Sequence, residues 1–220
     1  MLPQAEAVAR TFRASARSAR AHAQPYLHHV MTGLLPAGIA KELADLPFAA
    51  PSLGGVSGKR ELHNDTRSYF DAAAMARFPA MRAVAEALQA RETVATLAEV
   101  FGAPLDGAFL RLEYAQDIDG FWLEPHTDLG VKKFTCLIYL SDGEGHETLG
   151  TDIYRTREEH FGRSPFARNS AMVFVPAADT WHGFEKRQIK GVRKSVILNY
   201  VTSDWRATEQ LSFPSEPVRL

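Results

Sequence analysis

His126 and Asp128 stand two apart in the stretch WLEPHTD, and on an extended backbone that spacing puts both side chains on one face. An imidazole beside a carboxylate can hold a divalent metal ion or close a polar turn, and the couplet alone does not choose. A third donor is on offer in DTWHGFE, where His182 sits inside a strand-like run. Two imidazoles and one carboxylate on one side of an ion leave three coordination positions open, which suits non-haem Fe(II). Zinc accepts the same atoms, so a zinc hydrolase is the chemical rival, with Glu124 as the nearest general base because its parity matches the ligands.

Eleven and thirteen positions after His182 come Arg193 and Ser195, which share one face of the strand-like VRKSVILNY. A buried arginine beside a hydroxyl is a receptor for a carboxylate: the guanidinium binds it as a fork and the hydroxyl adds a third hydrogen bond. Such a guanidinium is costly to bury unless an anion pairs with it. Gly191 marks a hairpin turn expected to bring this strand back beside the one bearing His182. An open metal centre and an anion clamp together suit a dicarboxylate that chelates the ion with one end and meets Arg193 with the other.

These residues need strands to hold them. From residue 106 onward, GAFLRLEYA, KKFTCLIYL, SAMVFVP, DTWHGFE and VRKSVILNYV are short, β-branched and aromatic, with turn chemistry such as Asp142-Gly143 and Lys190-Gly191 between them. Strands in succession without helices argue for antiparallel sheets packed as a sandwich or barrel. Before them, YLHHVMTGLL reads as a short strand, Pro36 opens a helix in its first turn, and GGVSGKRELHNDTRSYFD is a glycine-opened loop feeding a strand. PAMRAVAEALQARETVATLAEVFG carries Met81, Val84, Leu88, Val94 and Leu97 at helical intervals and predicts one long helix stopped at Gly102. The expected organisation is a single domain with residues 1–104 as a helical support and 105–220 as the β core. RTREEHFGRSPFARN reads as a polar lid loop, Lys132-Lys133 as a solvated turn, and His28, His29, His63, His146 and His160 as structural or exposed.

Composition narrows the class. With 220 residues, 45% hydrophobic and 23% charged, the chain is an ordinary globular one long enough for a sizeable core. Its 25 basic and 26 acidic residues give no nucleic-acid-coating surface, and no apolar run is long enough to span a membrane. Cys136 is the only cysteine, which excludes an internal disulfide and any multi-cysteine metal site and fits a cytoplasmic location. The first residues carry Arg10, Arg13, Arg17 and Arg20 at helical spacing with Glu6 as their only acid, which reads as a loosely attached amphipathic helix, with a transit peptide as the alternative.

The five-point set His126-x-Asp128, His182 and Arg193-x-Ser195 resembles the Fe(II)- and 2-oxoglutarate-dependent dioxygenases over roughly residues 105–203, with a core like that of the prolyl hydroxylases. The resemblance implies a double-stranded β-helix (jelly-roll) core of mainly β, α+β class, braced by the N-terminal helices. It implies iron on His126, Asp128 and His182, and 2-oxoglutarate with its far carboxylate on Arg193 and Ser195. It also implies reaction with O2 to release succinate and CO2, most simply hydroxylating a C–H bond. By the same resemblance Tyr114 stands near the cosubstrate, Tyr139 reaches the distal carboxylate, and Leu137 lines the site. One departure is local: where prolyl-hydroxylase relatives show a Gly-Gly-Glu-Thr turn, this chain reads GEGHETLGTDIY. The expected substrate is a small molecule, and a jelly-roll binding module without catalysis is the non-enzymatic alternative.

Overall fold

The computed structural model describes residues 3–53, 58, 67–128 and 130–220. Apart from Gly58, the loop expected at 54–66, with His63, lies outside the described residues. The helices are α1 (Pro3–Arg17), α2 (Ala37–Ala44), α3 (Ala72–Arg77), α4 (Pro79–Gln89) and α5 (Arg91–Phe101). The strands are β1 (Arg20–His22), β2 (His28–Thr32), β3 (Ser68–Tyr69), β4 (Phe109–Asp117), β5 (Leu123–His126), β6 (Lys132–Tyr139), β7 (Asp152–Tyr154), β8 (His160–Arg163), β9 (Ser170–Phe174), β10 (His182–Phe184) and β11 (Arg193–Val201).

Two antiparallel sheets face each other among the described residues. The larger runs β1-β2-β9-β6-β11-β4-β3 and the smaller β5-β10-β7-β8. Period-two alternation sorts the side chains of the large sheet. On β4, β6 and β11, the residues Leu110, Leu112, Tyr114, Phe134, Cys136, Ile138, Val196, Leu198 and Tyr200 join the helices in one apolar core. The intervening residues point at the small sheet, where Ile153 packs on Met172 and Phe174. This two-layer arrangement is the expected double-stranded β-helix, and β2 and β3 from the first 104 residues are integral strands of its large sheet.

The helices cover the outer face of that sheet. Pro79 sits in the first turn of α4, where a missing N–H costs nothing, and α5 ends at Gly102 with φ 67°. The single long helix expected here is two. Ala90 takes an extended conformation (φ −61°, ψ 131°), and the chain restarts at Arg91. One straight helix over this span would be about 34 Å long; the break lets both halves bury apolar faces, Met81 to Leu88 and Val94 to Phe101. No glycine or proline marks the break. The Tyr200 hydroxyl donates to the Leu88 carbonyl at 2.6 Å, satisfying one acceptor of the last turn of α4 and tying it to β11.

Three further expectations change. The N-terminal helix is firmly docked, with Val8, Ala9 and Phe12 buried and Arg13 paired with Glu92 at 2.8 Å. Pro36 is the N-cap of α2, one residue outside it. The stretch read as a lid loop contains β8, whose Arg163 and Gly162 pair with Asp152 and Ile153 of β7.

Candidate metal centre

The small sheet brings the two histidines together. His126 on β5 and His182 on β10 are direct antiparallel partners, and their ring centroids lie 4.4 Å apart. Asp128 follows two residues after His126, and one donor atom from each of the three lies within 4.8 Å of the others. Atoms about 2.1 Å from a common ion span at most about 4.2 Å, so the set is near the spacing an ion would impose. Gly183, beside His182, makes this approach possible: a Cβ there would meet the backbone oxygens of Leu123 at 2.8 Å and Glu124 at 3.2 Å.

Each histidine is held in the same way. Nδ1 of His126 faces the Glu124 carbonyl at 2.9 Å and Nδ1 of His182 faces the Thr180 carbonyl at 2.9 Å. A carbonyl only accepts, so the proton resides on Nδ1 and the Nε2 lone pair is left for a metal. Burial, with the neighbouring His126 adding to it, pushes the His182 pKa down to about 3, which keeps the ring neutral. Burial works against the charge on Asp128, but Lys132, His182 and the Thr135 hydroxyl outweigh it and hold the carboxyl far below the usual range. Thr135 donates to Asp128 Oδ2 at 2.5 Å, and the Lys132 ammonium contacts Oδ1. Lys132 is therefore no solvated turn residue. It is buried, opens β6, and sets its charge against the candidate ligand.

Arg193 and Ser195 lie across the cavity on the large sheet. The hairpin expected at Gly191 does not pair β11 with β10; the chain crosses between sheets there, and β11 pairs with β4 and β6. The result still suits a bridging ligand, because one cavity is lined by His126, Asp128 and His182 together with Arg193, Ser195, Leu137 and Thr151. Arg193 already has a resident counter-ion. NH1 donates to Asp117 at 2.6 Å and Nε to the Leu149 carbonyl at 2.8 Å, and the guanidinium lies 4.8 Å from the Phe184 ring centroid.

Leu137 faces the cavity. Tyr139 sits one layer behind: its hydroxyl is engaged by Thr151 at 2.8 Å and Ser164 at 2.7 Å, so it positions Thr151 at the cavity wall. Tyr114 is on the wrong face. Strand alternation sends it into the helix-side core against Phe48, while its neighbours Glu113 and Ala115 line the cavity. Glu124 fails as a general base for a related reason. His182 pairs with His126 but Phe184 pairs with Leu123, a bulge that adds one residue to β5 and breaks its parity. Leu123 turns inward, and the Glu124 side chain goes to Arg157 at 3.2 Å.

A polar seam was missed in the sequence. From Asp128 it passes through Thr135, Asn199 and Arg111 to Glu113, then through Arg67 to Asp117 and Arg193. The signal was present in FLRLEYAQD, where Arg111, Glu113 and Asp117 alternate with leucines and a tyrosine. A second cluster, Asp152, His160 and Glu185, also has metal-like spacing. There Arg163 and Arg187 already neutralise Asp152, and the Glu185 amide donates to it at 2.7 Å, so it is an ion-pair knot.

No protein-family model and no curated protein matches the sequence. Solved structures with this fold include a prolyl 4-hydroxylase from Phytophthora capsici, at TM-score 0.59 and 13% identity over 94% of this chain and 68% of that one. A prolyl hydroxylase from Trichoplax adhaerens, in complex with a hypoxia-inducible-factor peptide, matches at TM-score 0.57 and 12% identity over 92% and 91%. HygX from Streptomyces hygroscopicus, with nickel, 2-oxoglutarate and hygromycin B bound, matches at 0.53 and 14% over 80% and 83%. The chain has the prolyl-hydroxylase-like fold of the 2-oxoglutarate and Fe(II) oxygenases.

Proposed function

We propose that this protein is a non-haem Fe(II)- and 2-oxoglutarate-dependent dioxygenase that hydroxylates a C–H bond and releases succinate and CO2. One observation carries the reading. Three metal donors on one wall of a cavity face a guanidinium and a hydroxyl on the other. Iron, 2-oxoglutarate and O2 would supply the oxidising chemistry, the oxo acid being decarboxylated as one oxygen atom enters the substrate.

The chain's own contribution is positioning. His126 and His182 present Nε2 because their Nδ1 protons are held by backbone carbonyls. Asp128 stays ionised and oriented through Lys132 and Thr135. On the opposite wall, Arg193 has NH1 and Nε committed, which leaves NH2 and the Ser195 hydroxyl for the distal carboxylate of 2-oxoglutarate. Phe121, Leu123, Phe184 and Ile197 supply the apolar lining that limits water. The outward turn of Glu124 leaves the rival hydrolase without its nearest base.

Succinate should form from 2-oxoglutarate only when Fe(II) and O2 are both supplied, and His126→Ala should abolish it. Equal succinate from wild-type protein and from His126→Ala would overturn the proposal.

A further inference from the structure

Arg67 precedes β3 and projects into the same cavity, with its side chain only 8% exposed. Its guanidinium is half used. NH2 lies 3.1 Å from Asp117 Oδ1, and Nε lies 3.5 Å from Glu113 Oε1, too long for a hydrogen bond. NH1 has no hydrogen-bond partner although it is buried. Nε and NH2 form one edge of the planar group, and that edge is turned toward the two resident acids. The other edge, NH1 with the second N–H of NH2, has donors to spare.

Buried polar groups of folded chains are nearly always paired, and a guanidinium left with orphaned N–H groups in a cavity is a place where an acceptor belongs. The acceptor that matches a planar edge with two parallel N–H groups is a carboxylate. Arg193 is a different case: two of its nitrogens are bonded within the wall, and it lines the cavity together with Ser195. The cavity therefore holds two guanidinium groups, joined through Asp117, each with capacity left for one anion.

We infer that Arg67 is the specificity determinant for the primary substrate and binds a carboxylate on it, so that the substrate class is carboxylic acids. This rests on the oxygenase reading above, which assigns the Arg193 position to 2-oxoglutarate. The ring of Phe121, 5.7 Å below the Arg67 guanidinium, gives the same site an apolar floor for the carbon skeleton next to the carboxylate.

The test is thermal melting of the full chain loaded with Fe(II) and 2-oxoglutarate under nitrogen, titrated with a panel of aliphatic and aromatic carboxylic acids paired with their primary amides. Acids should raise the melting temperature and amides should not, by mass-action stabilisation. Arg67→Gln should weaken the binding acids by about 10- to 100-fold while 2-oxoglutarate itself binds within about twofold of wild type. Because removing the charge takes away one of the two guanidinium groups beside each of Glu113 and Asp117, Arg67→Lys is the companion variant. It keeps the charge, loses the planar edge, and should bind acids at an intermediate level. The inference is overturned if amides stabilise as well as acids, if no acid in the panel stabilises, or if both variants bind acids like wild type. A matching loss of 2-oxoglutarate affinity in Arg67→Lys would place the cosubstrate there and overturn it too. Failure of wild-type protein to bind 2-oxoglutarate at all would instead remove the oxygenase reading beneath it.

Discussion

The residue with the strongest claim on the candidate metal site that nobody would pick from the sequence is Lys132. Its ammonium and the Asp128 carboxylate are both almost fully buried, and breaking one side of such a pair typically costs about 3–5 kcal/mol. Lys132→Met should therefore destabilise the metal-free protein by that order in urea unfolding. Added Fe(II) or Mn(II) should stabilise this variant more than it stabilises wild type, since the ion replaces the missing positive charge beside Asp128. Equal metal stabilisation in the two proteins would show that Lys132 does not shape the site. At this scale the sequence was legible where residue types combine: His126, Asp128, His182, Arg193 and Ser195 all line one cavity. It was illegible for Lys132, because a lysine at a strand entrance is usually solvated and only the fold says what lies opposite. Tyr114 failed because a single step along β4 exchanges cavity for helix-side core.

Among elements, the contact of β5 with β10 decides whether the two histidines meet. Gly183 allows that contact, and Gly183→Ala places a Cβ against two backbone oxygens that have nowhere flexible to go. The strands must part, and metal affinity should fall by about 10- to 100-fold, the range seen when a ligand's supporting contacts are disturbed; a calorimetric metal titration at matched folding would measure it. On the other side of the molecule, Leu88→Ala empties a fully buried position where α4 meets β11 and should cost about 2–5 kcal/mol without changing metal affinity. The β4, β6, β9 and β11 strands were readable from alternation. The split of α4 from α5 was not, since Ala90 and Arg91 are good helix formers and the break is imposed by packing. The β5 bulge was equally hidden, and it alone redirects Glu124.

For the molecule as a whole, burial of ionisable groups links stability to pH. His28, His29 and His182 all have pKa values pushed down, chiefly by burial, with His182 at about 3. Their neutral forms are favoured by the fold, while the unfolded chain protonates them near about 6.5. The stabilising contribution is therefore complete above about pH 6.5 and is lost as pH falls toward the folded values. Metal-free protein should show a lower urea midpoint at pH 5 than at pH 7.5; a midpoint that rises on acidification would contradict the burial of these rings.

The cavity spans both sheets, so its two walls are tested together by one calorimetric titration of 2-oxoglutarate into anaerobic protein. With Fe(II) present, one equivalent should bind per chain. Binding should weaken by about 10- to 100-fold in Arg193→Lys, which loses the planar fork, and should be lost without metal or in His182→Ala. Binding of 2-oxoglutarate that is indifferent to Fe(II) and to both substitutions would contradict a cavity that joins a metal centre to a carboxylate clamp.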